Sequence, residues 1–197
     1  MNKLLYIKAN PKSNKDSHTF RMSESFIEAY KLANPQDEII TLDLYKEGIK
    51  FLDGDMIANR FRGEGNIAMK YAQQFAMADK YVIAAPLWNL SSPAILKAYI
   101  DYVMVPGVVF SYTEKGPIGL LADQGKKAVH ISATGGKFSE SADHQLGDRY
   151  LRTIFSFMGI KDFTTVVTEL TGVLQGEALE SSVSHSIEQA IAVAKSF

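Results

Sequence analysis

Five β-type runs alternate with helical stretches along this 197-residue chain, and that rhythm limits the fold more than any other feature. Residues 3–9 read as a buried first strand and residues 38–44 as a short second one, Ile39-Ile40-Thr41-Leu42. Residues 80–85 read as a third, residues 126–132 as a fourth (Ala128-Val129-His130-Ile131) and residues 163–170 as a fifth (Thr164-Thr165-Val166-Val167-Thr168). The first helix, expected over residues 17–33, carries Phe20, Phe26, Ile27 and Tyr30 at i, i+3/i+4 spacing and ends at Asn34-Pro35. Residues 53–79 read as mostly helical, with Ile67, Tyr71 and Phe75 on one face and a break or kink at Gly63-Glu64-Gly65. Further helices are expected over residues 93–104, 145–158 and 177–195. Gly159 closes the second of these as its C′ residue, and the last presents Leu179, Val183, Ile187, Ile191 and Ala194 inward. Such alternation predicts an α/β domain spanning residues 1–197, a parallel sheet of order 2-1-3-4-5 with helices on both faces. The strand order then reverses between the first and third strands, and a ligand crevice is expected there.

Residues 107–121 depart from the rhythm. Val108-Val109-Phe110-Ser111-Tyr112 is β-prone and Thr113-Glu114-Lys115-Gly116-Pro117 is a turn, so a small hairpin is expected after the third helix. Composition removes several function classes. The net charge is −1 and evenly spread, which leaves no electrostatic footprint for nucleic acid. There is no cysteine, hence no disulfide, thiolate nucleophile or Cys-based metal site. No apolar stretch approaches the roughly 18 residues of a membrane span, and Met1-Asn2-Lys3-Leu4-Leu5-Tyr6-Ile7 lacks the h-region of a secretory signal. A cytoplasmic protein is expected.

Three loops converge at the carboxyl edge of such a sheet. The first, Asn10-Pro11-Lys12-Ser13-Asn14-Lys15-Asp16-Ser17-His18-Thr19, is rich in hydroxyls and feeds a helix N-terminus. Free N–H groups and the positive end of the helix dipole favour a phosphate there, with Ser17 and Thr19 as added donors. An ordinary N-capped helix would show the same residues. The loop is neither a P-loop nor a Gly-x-Gly-x-x-Gly fingerprint. In the second loop, Pro86-Leu87-Trp88-Asn89-Leu90, main-chain N–H groups and the Asn89 amide can meet the polar edge of a ring, and Trp88 can wall it; alternatively Trp88 fills a loop–helix joint. Ser91-Ser92-Pro93 then opens the next helix, with Ser92 as expected N-cap and Pro93 as first helical residue. The third loop, Ser132-Ala133-Thr134-Gly135-Gly136, has a Gly pair that lets backbone approach a ligand, or that serves a plain turn. Basic residues in these loops are confined to Lys12, Lys15 and Lys137, so hydroxyls and N–H groups would hold any phosphate. Joint placement after strands one, three and four suits FMN.

The chain resembles the FMN-dependent NADH azoreductases, which are also NADH:quinone oxidoreductases of the flavodoxin-like superfamily. The likeness lies in Pro86-Leu87-Trp88-Asn89, Lys97-Ala98-Tyr99-Ile100-Asp101, Gly107-Val108-Val109-Phe110-Ser111-Tyr112-Thr113 and Gly116-Pro117-Ile118-Gly119-Leu120. It implies a flavodoxin-like three-layer sandwich, tightly bound FMN, NADH or NADPH as electron donor, and a homodimer with sites near the subunit interface. It implies that Asn10, Ser17, His18 and Thr19 hold the phosphate. Pro86, Leu87, Trp88, Asn89 and Leu90, with Ala133, Thr134, Gly135 and Gly136, would hold the ring, and Trp88, Phe110 and Tyr112 would line the substrate space. Asn10 stands where Ser is frequent in the family, and Ala133 and Thr134 where Ser and Arg are often found. The mechanism implied is a ping-pong relay: a nicotinamide reduces the flavin, leaves, and a quinone or azo compound takes its place. No protein nucleophile, metal, nucleic acid or membrane is called for.

Two other classes compete with it. A flavodoxin-type electron carrier is generally shorter and more acidic. A hydrolase, such as a carrier-protein phosphodiesterase, could draw on Ser17, His18, His130, Ser132, Asp143 and His144, yet neither a Gly-x-Ser-x-Gly elbow nor His-x-x-x-His spacing occurs. His130, inside a strand, reads as a satisfied core histidine, and Asp143-His144 as part of an exposed loop.

Overall fold

The computed structural model describes residues 1–59, 66–137 and 145–197. Strand β1 (Lys3–Lys8) leads to helix α1 (His18–Ala33), and β2 (Glu38–Asp43) to α2 (Gly54–Asn59) and α3 (Ile67–Met77). β3 (Lys80–Ala84) is followed by α4 (Ala94–Val103) and by the strands β4 (Phe110–Thr113) and β5 (Gly116–Gly119). β6 (Lys127–Ala133) precedes α5 (Leu146–Met158), and β7 (Asp162–Thr168) precedes α6 (Gly176–Ser196). The main sheet runs β2-β1-β3-β6-β7 with all pairs parallel. This is the expected order once the separate antiparallel pair β4-β5 is left out of the numbering.

The central strands are buried on both faces, because side chains alternate across a strand. Leu5, Ile7, Tyr81, Ile83 and Ala128 meet Tyr71, Phe75, Leu96, Tyr99 and Phe155 from α3, α4 and α5. Leu4, Tyr6, Val82, Ala84, Val129, Ile131 and Val166 meet Phe20, Met22, Phe26 and Tyr30 of α1 and Ala190 and Ala194 of α6. Each fully buried Leu, Ile or Phe contributes roughly 1.5–3 kcal/mol, so both layers are tied firmly to the sheet.

Some expectations shift. The helical stretch over residues 53–79 is two helices, α2 and α3; Gly63-Glu64-Gly65 lies outside the described residues, as does Asp143-His144. Tyr71 and Phe75 are buried, but Ile67, at the first position of α3, is 44% exposed. On α6 the fully buried positions are Val183, Ser186, Ala190 and Ala194, while Leu179, Ile187 and Ile191 are half-buried. Ser186 can sit inside because its hydroxyl donates to the Ser182 carbonyl of its own helix. The N-cap of α4 is Pro93 (φ −53°, ψ 140°), not Ser92, and Ala94 is its first helical residue. Ser92 instead abuts α5: a Cβ at Gly147 would lie 2.8 Å from its nitrogen and 3.1 Å from its hydroxyl oxygen.

Candidate functional site

The end of β1 and the start of α1 are joined by two buried side chains. Ser17 caps α1, its hydroxyl oxygen accepting from the Phe20 N–H at 3.1 Å. The Asn10 amide donates to the same oxygen at 2.9 Å and accepts from the Lys12 N–H at 3.1 Å. Asn10 thereby fixes the loop against the helix, and the Ser17 hydroxyl proton remains to be donated. Beside it, Thr19 Oγ1 and His18 Nδ1 are buried without a hydrogen-bond partner among the described residues. The first N–H groups of a helix have no carbonyl within it, and they carry the positive end of its dipole. Burial lowers the His18 pKa, and the charges of Arg21 and Lys12 lower it further against an upward pull from Glu180. Orphaned hydroxyl, imidazole and N–H groups in a positive field make a seat for an anion.

The second loop is a tight turn. Trp88 N–H donates to the Ser91 carbonyl at 2.8 Å and Ser91 N–H returns to Trp88 at 3.0 Å. Asn89 (φ 50°) and Leu90 (φ 66°) therefore both occupy the left-handed region, the pattern of a type I′ turn. Asn tolerates this conformation; Leu does not, at a cost of roughly 1–3 kcal/mol. Two anchors hold the strained turn: Leu87 N–H donates to the Ala133 carbonyl, and Gly147 N–H of α5 to the Leu90 carbonyl at 3.2 Å. Trp88 is 39% exposed, and neither the Asn89 nor the Leu90 N–H is spent inside the turn's paired bonds.

The third loop pairs with the loop after β7. Thr134 N–H donates to the Thr168 carbonyl, Thr171 N–H to Thr134 and Gly172 N–H to Gly135. At Gly136 a Cβ would meet nothing, and at Gly135 only an ordinary contact, so the fold itself does not demand this Gly pair.

These loops enclose a cleft of about 190 Å³ lined by Asn10, Ser17, His18, Thr19, Pro86, Leu87, Trp88, Ala133 and Gly135, with Lys12, Asp16 and Thr171. Nine of the expected site residues thus share one crevice. Asn89, Leu90, Thr134 and Gly136 sit in the same loops without lining it. Phe110 is 5% exposed and packs against Phe157 and Tyr112, while Tyr112 is 72% exposed on the hairpin. Neither lines the cleft.

A family model described as flavodoxin-like fold matches residues 2–193. This chain belongs to the flavodoxin-like fold family. It is 56% identical, over the full length of both chains, to FMN-dependent NADH:quinone oxidoreductase 2 of Clostridium acetobutylicum. Among solved structures it is similar to an azoreductase from Bacillus anthracis strain Sterne, with 36% identity, complete coverage of both chains and a TM-score of 0.90. It is also similar to an FMN-dependent NADH-azoreductase from Bacillus anthracis strain Ames Ancestor in complex with FMN: 31% identity, 98% of this chain, all of that one, TM-score 0.86.

Sequence reasoning missed three positions of this family member's site. Thr171 reaches the cleft from the loop after β7, which the three-loop picture left out; a Thr-Gly pair just past a strand was the available signal. Gly147 supports the strained turn through a close approach that no sequence pattern marks. Asp148, one residue on, is buried and accepts from His130 Nδ1 at 2.8 Å, while His130 Nε2 donates to the Ala85 carbonyl at 3.2 Å. His130 is a satisfied core histidine, and its two bonds fix the strand end from which the second loop springs. Burial pushes the Asp148 carboxyl up, but His130, Thr165 and Arg152 outweigh it and hold the pKa at about 2.

Proposed function

We propose that this chain is an FMN-dependent oxidoreductase that passes electron pairs from NADH or NADPH to quinones and to azo compounds by a ping-pong mechanism. The observation that carries the reading is the pair of orphaned buried atoms, Thr19 Oγ1 and His18 Nδ1, at a helix N-terminus in the same cleft as Trp88 and Gly135. They fit a phosphate joined to a flat ring. Relatives matched along their whole length that are called FMN-dependent support it.

The chemistry that FMN supplies when bound is acceptance of a hydride and return of the electron pair to an acceptor. The protein's part is to bind and orient. Asn10, Ser17, His18 and Thr19 hold the phosphate end; main chain at Pro86, Leu87, Ala133 and Gly135, which line the cleft, meets the ring, with Asn89, Leu90, Thr134 and Gly136 at its edge in the same loops. Trp88 and Tyr112 wall the substrate space, with Phe110 backing Tyr112 edge-on at 5.3 Å. Donor and acceptor share one platform, and full cleavage of an azo bond to two amines takes two turnovers. The whole chain, residues 1–197, acts as one FMN-binding domain. A second copy would cover the exposed Tyr112 and Ile118 of the β4-β5 hairpin as a homodimer. The reading assigns no role to nucleic acid or membrane; among the described residues no helix is long and apolar enough to cross one. The setting is cytoplasmic, where NADH is available.

The test is the visible spectrum of the purified protein. Flavin absorbance bleached by NADH without an added reductase and restored by a quinone supports the reading, with parallel initial-rate lines for the two substrates. A colourless protein that takes up no FMN refutes it.

A further inference from the structure

A second pocket, of about 480 Å³, shares Asn10 and Lys12 with the flavin cleft as walls. Lys8, Asn14 and Phe20 line it from β1, the first loop and α1; Asp43, Tyr45 and Lys46 line it from the end of β2 and the turn that follows. Three lysines, Lys8, Lys12 and Lys46, thus line it beside Asp43, with Glu24 paired to Lys8. Lys8 is only 8% exposed, unusual for a lysine. Its ammonium donates to Asn14 at 2.8 Å and Glu24 at 2.6 Å above the Phe20 ring, which leaves one of its three donors. Lys46 pairs with Asp43 at 3.0 Å but is 83% exposed, and a surface pair of this kind yields readily to a stronger anion. Tyr45, 43% exposed, adds an aromatic ring to the wall. Glu24 answers Lys8 and Asp43 answers Lys46, so Lys12 supplies the surplus positive charge, and with the side-chain amides and the ring it suits a nucleoside phosphate. The chain also has no Gly-x-Gly-x-x-Gly run to hold a dinucleotide elsewhere.

We propose that this pocket seats the adenosine-phosphate half of the dinucleotide donor while its nicotinamide half occupies the flavin cleft. The inference rests on the flavin reading above. Lys46 and Tyr45 lie outside the flavin cleft, so they isolate it.

The experiment compares NADH with reduced nicotinamide mononucleotide, which lacks the adenosine phosphate, on flavin-loaded wild type, Lys46→Glu and Tyr45→Ala. The KM for NADH rises about tenfold in Lys46→Glu, the equivalent of about 1.4 kcal/mol, and rises also in Tyr45→Ala. The KM for the mononucleotide and both kcat values stay put. AMP competes with NADH in the wild type and less well in either variant. Equal KM shifts for both donors, or none, overturn the inference alone. Inorganic phosphate inhibiting as strongly as AMP marks a bare phosphate site and overturns it too. A wild type that binds no flavin overturns the reading beneath it.

Discussion

Two neighbouring hydroxyls at the start of α1 do different work. Ser17 already serves the fold: its oxygen caps α1 and receives the Asn10 amide. Ser17→Ala should cost about 1 kcal/mol of stability, as loss of an N-cap does, and weaken FMN binding. Thr19 Oγ1 has no partner among the described residues. Thr19→Val removes a buried unsatisfied group, so the apoprotein should be no less stable, yet FMN affinity should fall about tenfold for the lost bond to a charged phosphate. Thermal melts and flavin titrations of the two variants separate the roles; a Thr19→Val protein that binds FMN normally sinks the phosphate seat. His18 gives a pH signature. Its folded-state pKa lies below the ordinary value of about 6.5. As pH falls below that ordinary value the unfolded chain takes a proton that the folded apoprotein refuses, so stability drops until the depressed pKa is passed. Denaturant melts of the apoprotein at pH 7.5 and 5.5 should show this drop, and His18→Gln should lessen it. Ser17 and Thr19 were readable because hydroxyls ahead of a helix have a local signature. Thr171 carried only the weaker mark of a Thr-Gly pair past a strand, since its role depends on where β7 ends relative to β6.

Element by element, the strands of the sheet were legible because each is a short β-prone run bounded by polar or turn residues. The helix α4 start was misread by one residue, because the contact that claims Ser92 comes from α5, far along the chain. The same lesson applies to the β4-β5 hairpin. Its existence shows in Val108-Val109-Phe110-Ser111-Tyr112 followed by polar Thr113-Glu114-Lys115, although the turn is tighter than expected: Gly116 and Pro117 are already paired in β5 with Thr113 and Tyr112, and the seat of the hairpin was not legible. A Cβ at Gly119 would lie 2.3 Å from the backbone carbon of Met158, and Leu121 N–H donates to the Met158 carbonyl at 3.0 Å. β5 therefore packs backbone to backbone on the end of α5. Gly119→Ala must push the hairpin away and should destabilise by about 1–3 kcal/mol, or some 2–10 °C in a chain of this size. Calorimetry checks the value. If the hairpin carries the substrate wall through Tyr112, the KM for a quinone should rise in the same variant while the FMN spectrum stays normal.

Across the molecule, a cluster of buried His130 and Asp148 with half-buried Thr165 and exposed Arg152 joins three elements that the sequence treats as separate. His130 belongs to β6, Asp148 and Arg152 to α5, Thr165 to β7. Asp148 accepts from His130 and Thr165 through one oxygen, at 2.8 and 2.7 Å, and from Arg152 Nε through the other at 2.7 Å. Arg152 also donates to the Phe163 carbonyl at 2.7 Å. The cluster sits behind the strained turn: His130 holds the Ala85 carbonyl, and the residue before Asp148 holds Leu90. Asp148→Asn keeps the shape but strips the charge that His130 and Arg152 face. Removing one partner of a buried pair costs about 3–5 kcal/mol, so a marked loss of stability at pH 7 is expected. FMN affinity should fall with it, because the ring-binding loop loses its rigid base. The pH dependence fixes the cause. The folded-state carboxyl has a pKa of about 2, below the ordinary value of about 3.9. Its contribution is whole above the ordinary value and disappears as pH falls through the depressed one. The stability gap between wild type and Asp148→Asn should narrow as pH falls from about 4 toward 2, where the folded-state carboxyl takes up its proton. Urea melts across that range decide it, and a gap that stays constant to the acid end would mean that the charge of Asp148 is not what binds these elements together.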